Sequence, residues 1–416
     1  MADRTGCVNE GISPKVVVLA DDLTGAADSG VMFANHGLTT MVFWTGATDP
    51  FEDGAPGAMP PTDVGVISSE SRDRDRAEAI RRVNRSVRYG LQTAGEAWIY
   101  KKVDSTLRGH PGAELAALME VAKQDRALVA PAFPAQGRTT IGGVHRVHGI
   151  RLDKTAFGQD GVDAEVAGHF VEAFGRNAVS SLPLDVVRQG RDAVLDALDQ
   201  TGSRIVVADA ETEEDLTTLV RSTRRSGIRL LCGSAGLAGA LGDVMVWEAQ
   251  VPSPDLPAAG GDLILVVAGS RHPSTRDQVL TLMERGAMII APSAGWFTDP
   301  AAPMDEVTHA MMMKEERSGP SAAVLTTVGL PPLPGQGALL ARKLAKGIRA
   351  IAESGRLAGL VLTGGDTAIA VADALEAEAL WLRGEVRTGV PWGAGVVLLG
   401  TGLTGVTKSG CLGGED

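Results

Sequence analysis

The chain has 416 residues, 44% hydrophobic and 22% charged, and 39 Lys and Arg against 51 Asp and Glu leave a formal net charge of −12. Its length suits roughly two or three domains, while the acidic surface and 4% aromatic content argue against nucleic acid or an anionic membrane as the main partner. Cys7, Cys232 and Cys411 match no metal-ligand spacing, residues 1–13 lack the apolar core of a signal peptide, and apolar runs are only strand-sized, so a cytoplasmic location is expected.

The first element is the apolar, β-branched run 16–20, which reads as a buried parallel strand. It ends in Asp21 and Asp22, followed by Leu23, Thr24 and Gly25 and then by small residues suited to a helix over 26–35. Ligands of open α/β sheets bind at the carboxyl ends of strands. Two carboxylates beside a core need a cation, a hydroxyl-rich ligand or backbone donors. Helix capping by Asp22 or Thr24 accounts for one of these residues but not for all three. Strands are expected at 39–44 and 63–68, with the Pro- and Gly-rich loop 49–61 between them, then a charged helix over 73–88 and a strand at 98–101.

That strand runs into Lys101-Lys102-Val103-Asp104-Ser105-Thr106-Leu107-Arg108-Gly109, again charge, hydroxyls and glycine ahead of a helix, here 113–123. Lys102 and Arg108 suit a carboxylate, the arginine as a two-pronged donor. Asp104 suits a substrate hydroxyl or a cation; the competing reading is a loop of exposed ion pairs. A strand at 128–130 leads into an irregular loop where Arg138 is a third candidate for an anionic ligand. His145 and His148 fall in an apparent strand, where a spacing of three puts them on opposite faces. A shared metal is not expected, and no residue is assigned to one.

Beyond residue 162, strands are expected at 178–181, 205–208 and 228–231, with helices at 192–199, 213–225 and 235–246. The acidic run 209–215 is read in part as complementing the dipole of the helix it precedes. Residues 250–261 hold three prolines and two glycines and mark the domain boundary. A second alternation follows, with strands at 263–268, 288–290, 323–327 and 359–362 and helices at 278–284, 339–354 and 367–374. The strand at 359–362 ends in Thr363-Gly364-Gly365-Asp366-Thr367, where paired glycines at a helix start let backbone N–H groups approach a phosphate. The turn from Gly269-Ser270 and the glycine-rich stretch 400–410 with Lys408, Ser409 and Gly410 are read the same way, plain turns being the alternative. No Walker A sequence occurs, and no GxGxxG follows the first strand. The expected fold is α/β in two domains, 1–249 and 262–416, joined by the linker 250–261, each with a mainly parallel sheet flanked by helices.

Taken together, these motifs resemble one family over nearly the whole chain: the four-carbon acid sugar kinases. The resemblance rests on Ala20-Asp21-Asp22-Leu23-Thr24-Gly25, Lys102-Val103-Asp104-Ser105-Thr106-Leu107-Arg108-Gly109, Pro131-Ala132-Phe133-Pro134 and Gly137-Arg138-Thr139. It continues in Asp209-Ala210-Glu211-Thr212, Gly233-Ser234-Ala235-Gly236, Gly269-Ser270, Gly364-Gly365-Asp366-Thr367 and Lys408-Ser409-Gly410. It implies an N-terminal domain that binds a sugar acid such as threonate, erythronate or 3-oxo-tetronate through Asp21, Asp22, Lys102, Asp104, Ser105, Arg108 and Arg138. It implies a C-terminal domain that binds ATP with Mg²⁺ through Ser270, Gly364, Gly365, Asp366, Thr367, Lys408, Ser409 and Gly410. The 4-hydroxyl would be phosphorylated, with Asp22 placed ahead of Asp104 as the base. Two departures stand out: His272 replaces a usual Ser, and the chain ends at Asp416 where relatives often continue. The rival readings are a non-catalytic sugar-acid or nucleotide sensor and, without a dinucleotide fingerprint, a sugar-acid dehydrogenase. The expected partners are the small-molecule acid and ATP, and a homodimer is an assembly such enzymes often adopt.

Overall fold

The structure, a computed structural model, describes residues 13–44, 59–92, 94–245, 251, 261–270, 273–293, 295–296, 321–330, 337–387, 389–397 and 402–408. Two compact units divide the chain, residues 1–41 with 51–253, and residues 42–50 with 254–416.

In the first unit the order is β1 (Val16–Ala20), α1 (Leu23–Ala34), β2 (Thr40–Trp44, whose residues from Val42 on count with the second unit), β3 (Val64–Ser68), α2 (Arg76–Leu91), β4 (Trp98–Lys102), α3 (Pro111–Ala122) and β5 (Ala127–Ala130). A meander of β6 (Arg138–Ile141), β7 (Val144–Val147) and β8 (Ile150–Arg151) follows, then α4 (Gly168–Phe174), β9 (Val179–Leu182), α5 (Leu184–Arg188) and α6 (Arg191–Gln200). The unit closes with β10 (Ile205–Ala208), α7 (Glu213–Ser226), β11 (Leu230–Gly233) and α8 (Ala235–Val244). The sheet order is β2-β3-β1-β4-β11-β5-β10-β9, and the pairings from β3 to β9 are parallel. All five residues of β1 are buried, as the apolar run requires of a strand covered on both faces. Because β3, β1 and β4 are neighbours, the polar residues after Ser68, Ala20 and Lys102 arrive at one edge of the sheet.

The second unit has β12 (Leu263–Ala268), β13 (Met288–Ile290), β14 (Ser321–Thr326), β15 (Leu357–Thr363), β16 (Ala377–Arg387), β17 (Val390–Val397) and β18 (Gly402–Lys408). Its described helices include Pro273–Glu284, Gly337–Glu353 and Gly365–Ala374. The order is β13-β14-β12-β15-β18-β17-β16, parallel as far as β18, with β17 antiparallel to both its neighbours. Both units are thus α/β with mainly parallel sheets.

Several expectations shift. Asp22 accepts from Gly25 N at 2.7 Å and caps α1, which therefore starts at Leu23 and not at residue 26. His148 lies past the end of β7, in a turn with φ 49°, so only His145 belongs to the strand. Residues 402–408 form a strand, where a glycine-rich loop was expected, and β16 and β17 had no counterpart in the sequence reading. The acidic run before α7 is structural: Thr212 and Asp215 form a capping box, and Asp209 accepts from Gly142 N, Gly143 N and Leu184 N. Residues 49–58, most of 250–261, and His272 lie outside the described residues.

Candidate functional site

Three strand ends build the acidic site. Beyond β1 lie Asp21 and Asp22, beyond β4 lies Asp104, and beyond β3 lies Arg72, whose guanidinium sits among all three. Arg72 Nε and Nη2 donate to the two oxygens of Asp21, each at 2.9 Å. Its Nη1 donates to Asp22 Oδ2 at 2.5 Å and its Nη2 to Asp22 Oδ1 at 2.8 Å, while Asp104 Oδ1 lies 3.7 Å from Nη2. Gly25 leaves the room this needs: a Cβ there would come within 2.6 Å of Asp22 Oδ1 and 3.0 Å of Lys102 Nζ.

Asp104 is gripped from its other side. Arg108 Nε and Nη2 donate to its oxygens at 2.9 and 3.0 Å, and the Thr106 hydroxyl and backbone N–H donate to Oδ2. Burial raises the Asp104 pKa, but the Arg72 and Arg108 charges outweigh it and hold the carboxyl well below the usual carboxylate range. Asp21 is likewise penalised by burial and held below its ordinary value by Arg72, Lys101 and Lys102. Asp22 goes the other way. Burial and the adjacent Asp21 charge raise it despite Arg72, so two carboxylates sharing one guanidinium divide into a firmly ionised member and a more basic one.

Lys102, almost fully buried, donates to its neighbour's carbonyl, Val103 O, at 3.0 Å. Lys101, on the opposite face of β4, is committed to Glu114 of α3 at 2.8 Å with both side chains buried, and it is not a ligand candidate. His145 is fully buried; its Nε2 donates to Ser105 O at 2.9 Å, so its Nδ1 accepts from Thr140 Oγ1 at 3.0 Å. Through this histidine the meander braces the loop carrying Asp104, Ser105 and Arg108. Arg138, at the start of β6, is 91% buried and bonds Gln136 O through Nη1, while its buried Nε has no hydrogen-bond partner. An arginine held this way is suited to an anion.

Sequence reasoning did not single out Arg72 or Glu70, and it weighed His145 only as a metal ligand, with His148. Ser69-Glu70-Ser71-Arg72 carries the same signature of polar residues at a strand end that marked Asp21 and Asp104, and that signal would have found the first two. His145 carried no such signal; only the fold brings it to Ser105.

In the second unit, β12 and β15 are neighbours, so Gly269-Ser270 and Thr363-Gly364 emerge side by side. A Cβ on Gly269 would lie 2.1 Å from Thr367 Oγ1, and one on Gly364, where φ is 94°, would lie 3.6 Å from Ser270 Cβ. Gly365, Asp366 and Thr367 form the first turn of the helix Gly365–Ala374, whose N-terminus has no side-chain cap. A helix N-terminus without a side-chain cap, a glycine turn and a neighbouring Ser make a cradle that fits a phosphate. Lys408 ends β18 in register with Thr363, which puts its backbone at the same sheet edge, at a strand end and not in a loop. Ser409 and Gly410 lie outside the described residues.

Residues 16–241 match a family model described as a sugar-binding N-terminal domain, and residues 265–416 one described as a nucleotide-binding C-terminal domain. A D-threonate kinase of Salmonella typhimurium is 32% identical, over 97% of this chain and 96% of its own. The chain belongs to the four-carbon acid sugar kinase family. A second relative in the family, a D-erythronate kinase of Heliobacterium modesticaldum, is 31% identical over 96% of this chain and 94% of its own. A crystal structure of a Salmonella typhimurium LT2 protein shares the fold with a TM-score of 0.79 and 22% identity, covering 96% of this chain and 97% of that one. Membership gives the chain a sugar-binding and a nucleotide-binding half, and the acidic cluster and the glycine cradle fall one in each. No described helix is long and apolar enough to cross a membrane.

Proposed function

We propose that the chain is an ATP-dependent kinase that phosphorylates the terminal 4-hydroxyl of a four-carbon acid sugar such as threonate, erythronate or 3-oxo-tetronate. The observation that carries this reading is the convergence of Asp21, Asp22, Asp104 and Arg72 at one sheet edge within the sugar-binding half. Residues 1–249 are taken as the acceptor domain, 250–261 as a linker and 262–416 as the nucleotide domain; the two separate family-model matches support that division.

In this reading Asp21, Asp22, Asp104 and Ser105 bind the hydroxyls of the acid. Arg138 holds its carboxylate, with Arg108 and Lys102 adding positive charge; the unpartnered Nε of Arg138 supports giving it the leading role. Asp22 takes the proton of the 4-hydroxyl, because its raised proton affinity fits a base better than the firmly ionised Asp21 and Asp104. ATP with Mg²⁺ supplies the phosphoryl group and the charge neutralisation that its transfer needs. The backbone N–H groups of Gly365, Asp366 and Thr367, the Ser270 hydroxyl, and Lys408, Ser409 and Gly410 hold the phosphates, Gly364 giving the turn its left-handed backbone.

The test is turnover of D-threonate, D-erythronate and 3-oxo-tetronate with ATP and Mg²⁺, read as ADP release, for the wild type, Asp22→Asn and Asp104→Asn. At least one acid is expected to be phosphorylated, with Asp22→Asn lowering kcat by about 100-fold or more. Tight binding of an acid with no ADP release would mean a sensor. Near-normal turnover by both variants would overturn the assignment of roles.

A further inference from the structure

Away from the acceptor site, the first unit carries a concentration of positive charge that the chemistry above does not use. A cavity of about 460 Å³ is lined by Arg191 at the start of α6, by Arg221, Arg224 and Arg225 of α7, and by Val244 at the end of α8. A volume of that order suits a small molecule. The Ser222 hydroxyl donates to Arg191 O at 3.1 Å and so joins α6 to α7 beside the cavity. α7 runs from its cap Thr212, beyond β10, to the turn ahead of β11, and β10 and β11 both pair in parallel with β5. Arg224 and Arg225 therefore lie toward the amino ends of these strands, whereas Asp21, Asp22 and Asp104 lie at carboxyl ends.

Helix ends account for part of this charge. Arg224 and Arg225 occupy the last turn of α7, where the macrodipole favours cations. Arg221 stands three and four residues before them on the same face of the helix, and like charges at that spacing repel. Arg191 is the first residue of α6, the end at which the dipole disfavours a cation. Its side chain bonds the adjacent Asp192 at 3.1 Å, and among the described residues no carboxylate pairs with Arg221, Arg224 or Arg225. The acids of α7, Glu213, Glu214 and Asp215, all lie in its first turn. Four guanidinium groups thus face one carboxylate and the partial charges of the helix ends, in a chain that is acidic overall. Helix ends favour only two of the four. We propose that the cavity is a binding site for a small oxyanion carrying two or more negative charges, phosphorylated or polycarboxylated, held between α6 and α7 by two-pronged guanidinium donors. The bound anion replaces repulsion among the arginines by pairing and so stabilises the folded chain. The proposal does not depend on the kinase reading.

Inorganic pyrophosphate and citrate, each added to the full chain without Mg²⁺ and at constant ionic strength, are the probes, read by titration calorimetry and by Tm. The comparison is with the double variant Arg221→Gln/Arg225→Gln. Both side chains are exposed, and neutralising them removes repulsion and no ion pair, so the variant melts no lower than the wild type when no anion is present. The wild type is expected to bind at least one probe at this site with a Kd that the double variant weakens about tenfold or more. Its saturable gain in Tm shrinks in the variant to match. Any pyrophosphate held by the glycine cradle of the other half is common to both proteins and cancels. Arg191→Gln, on the other helix, produces the same loss, which separates a shared site from an effect on α7 alone. Binding of pyrophosphate without citrate assigns the site to phosphorylated ligands, and the reverse assigns it to polycarboxylates. Equal affinity and stoichiometry in wild type and variants for both probes, or a Tm gain that chloride at the same ionic strength reproduces, would overturn the proposal.

Discussion

Arg72 bonds two aspartates and faces a third from a side chain that is only 11% exposed. Removing one partner of a buried ionic cluster leaves the others unpaired, a loss of about 3–5 kcal/mol. Arg72→Met is accordingly expected to lower unfolding free energy by that order in a denaturant titration, and a loss below about 1 kcal/mol would show that the cluster is well solvated. The aspartates were legible in the sequence because each follows an apolar run that has to be a buried strand, where an acid is conspicuous. Arg72 was passed over, although it too follows a strand end, because it heads the charged stretch 72–76, which reads as the approach to a solvated helix. Its partners Asp21 and Asp22 are about fifty residues away, and only the parallel pairing of β1 with β3 brings them together. The roles of Lys101 and Lys102 show the same limit. Adjacent in sequence, they point to opposite faces of β4, and only the fold shows that Lys101 is bound to Glu114.

Among the elements, the small meander β6–β8 matters beyond its size, because His145 ties it to the loop that carries Asp104. Burial, with the charge of Arg138 beside it, pushes the His145 pKa down to about 4, although its bond to the Ser105 carbonyl favours the charged form. The folded value lies below the ordinary 6.5, so the unfolded chain takes up a proton that the folded one refuses. Stability on this account is present above 6.5 and is lost as pH falls through 4, by on the order of 3 kcal/mol. His145→Gln, able to donate to Ser105 and accept from Thr140, is expected to remove that share of the acid destabilisation in pH-dependent denaturant unfolding. An unchanged pH dependence would mean that His145 takes up its proton in the fold. Strand runs such as Val16–Ala20 and Ile205–Ala208 were legible to the residue, since a strand buried on both faces is marked by its apolar side chains alone. The hairpin β16–β17 and its neighbour β18 were not. Proline and glycine interrupt Val390–Val397, charges break Ala377–Arg387, and the three register shifts between β16 and β17, with the pairings carried by glycine, suit the backbone without leaving an apolar pattern.

On the scale of the whole molecule, a chain with net charge −12 still gathers positive charge locally: Arg72, Lys102 and Arg108 lie on the loops and strand ends around one group of aspartates, and Arg138 lies beside His145, which braces the Asp104 loop. The other half presents a glycine turn and an uncapped helix N-terminus at the edge formed by β12 and β15. A parallel α/β sheet explains why each group is assembled from separate stretches of sequence, since each strand end contributes a few residues to the same edge. The central claim is transfer of a phosphoryl group to a terminal sugar-acid hydroxyl, and ³¹P NMR of the reaction with ATP, Mg²⁺ and each tetronate reads it directly. A new phosphate monoester signal, split by two protons of the terminal carbon as ATP is converted to ADP, is the predicted result. ATP left intact with every acid, or an ester split by the single proton of an internal carbon, would contradict it.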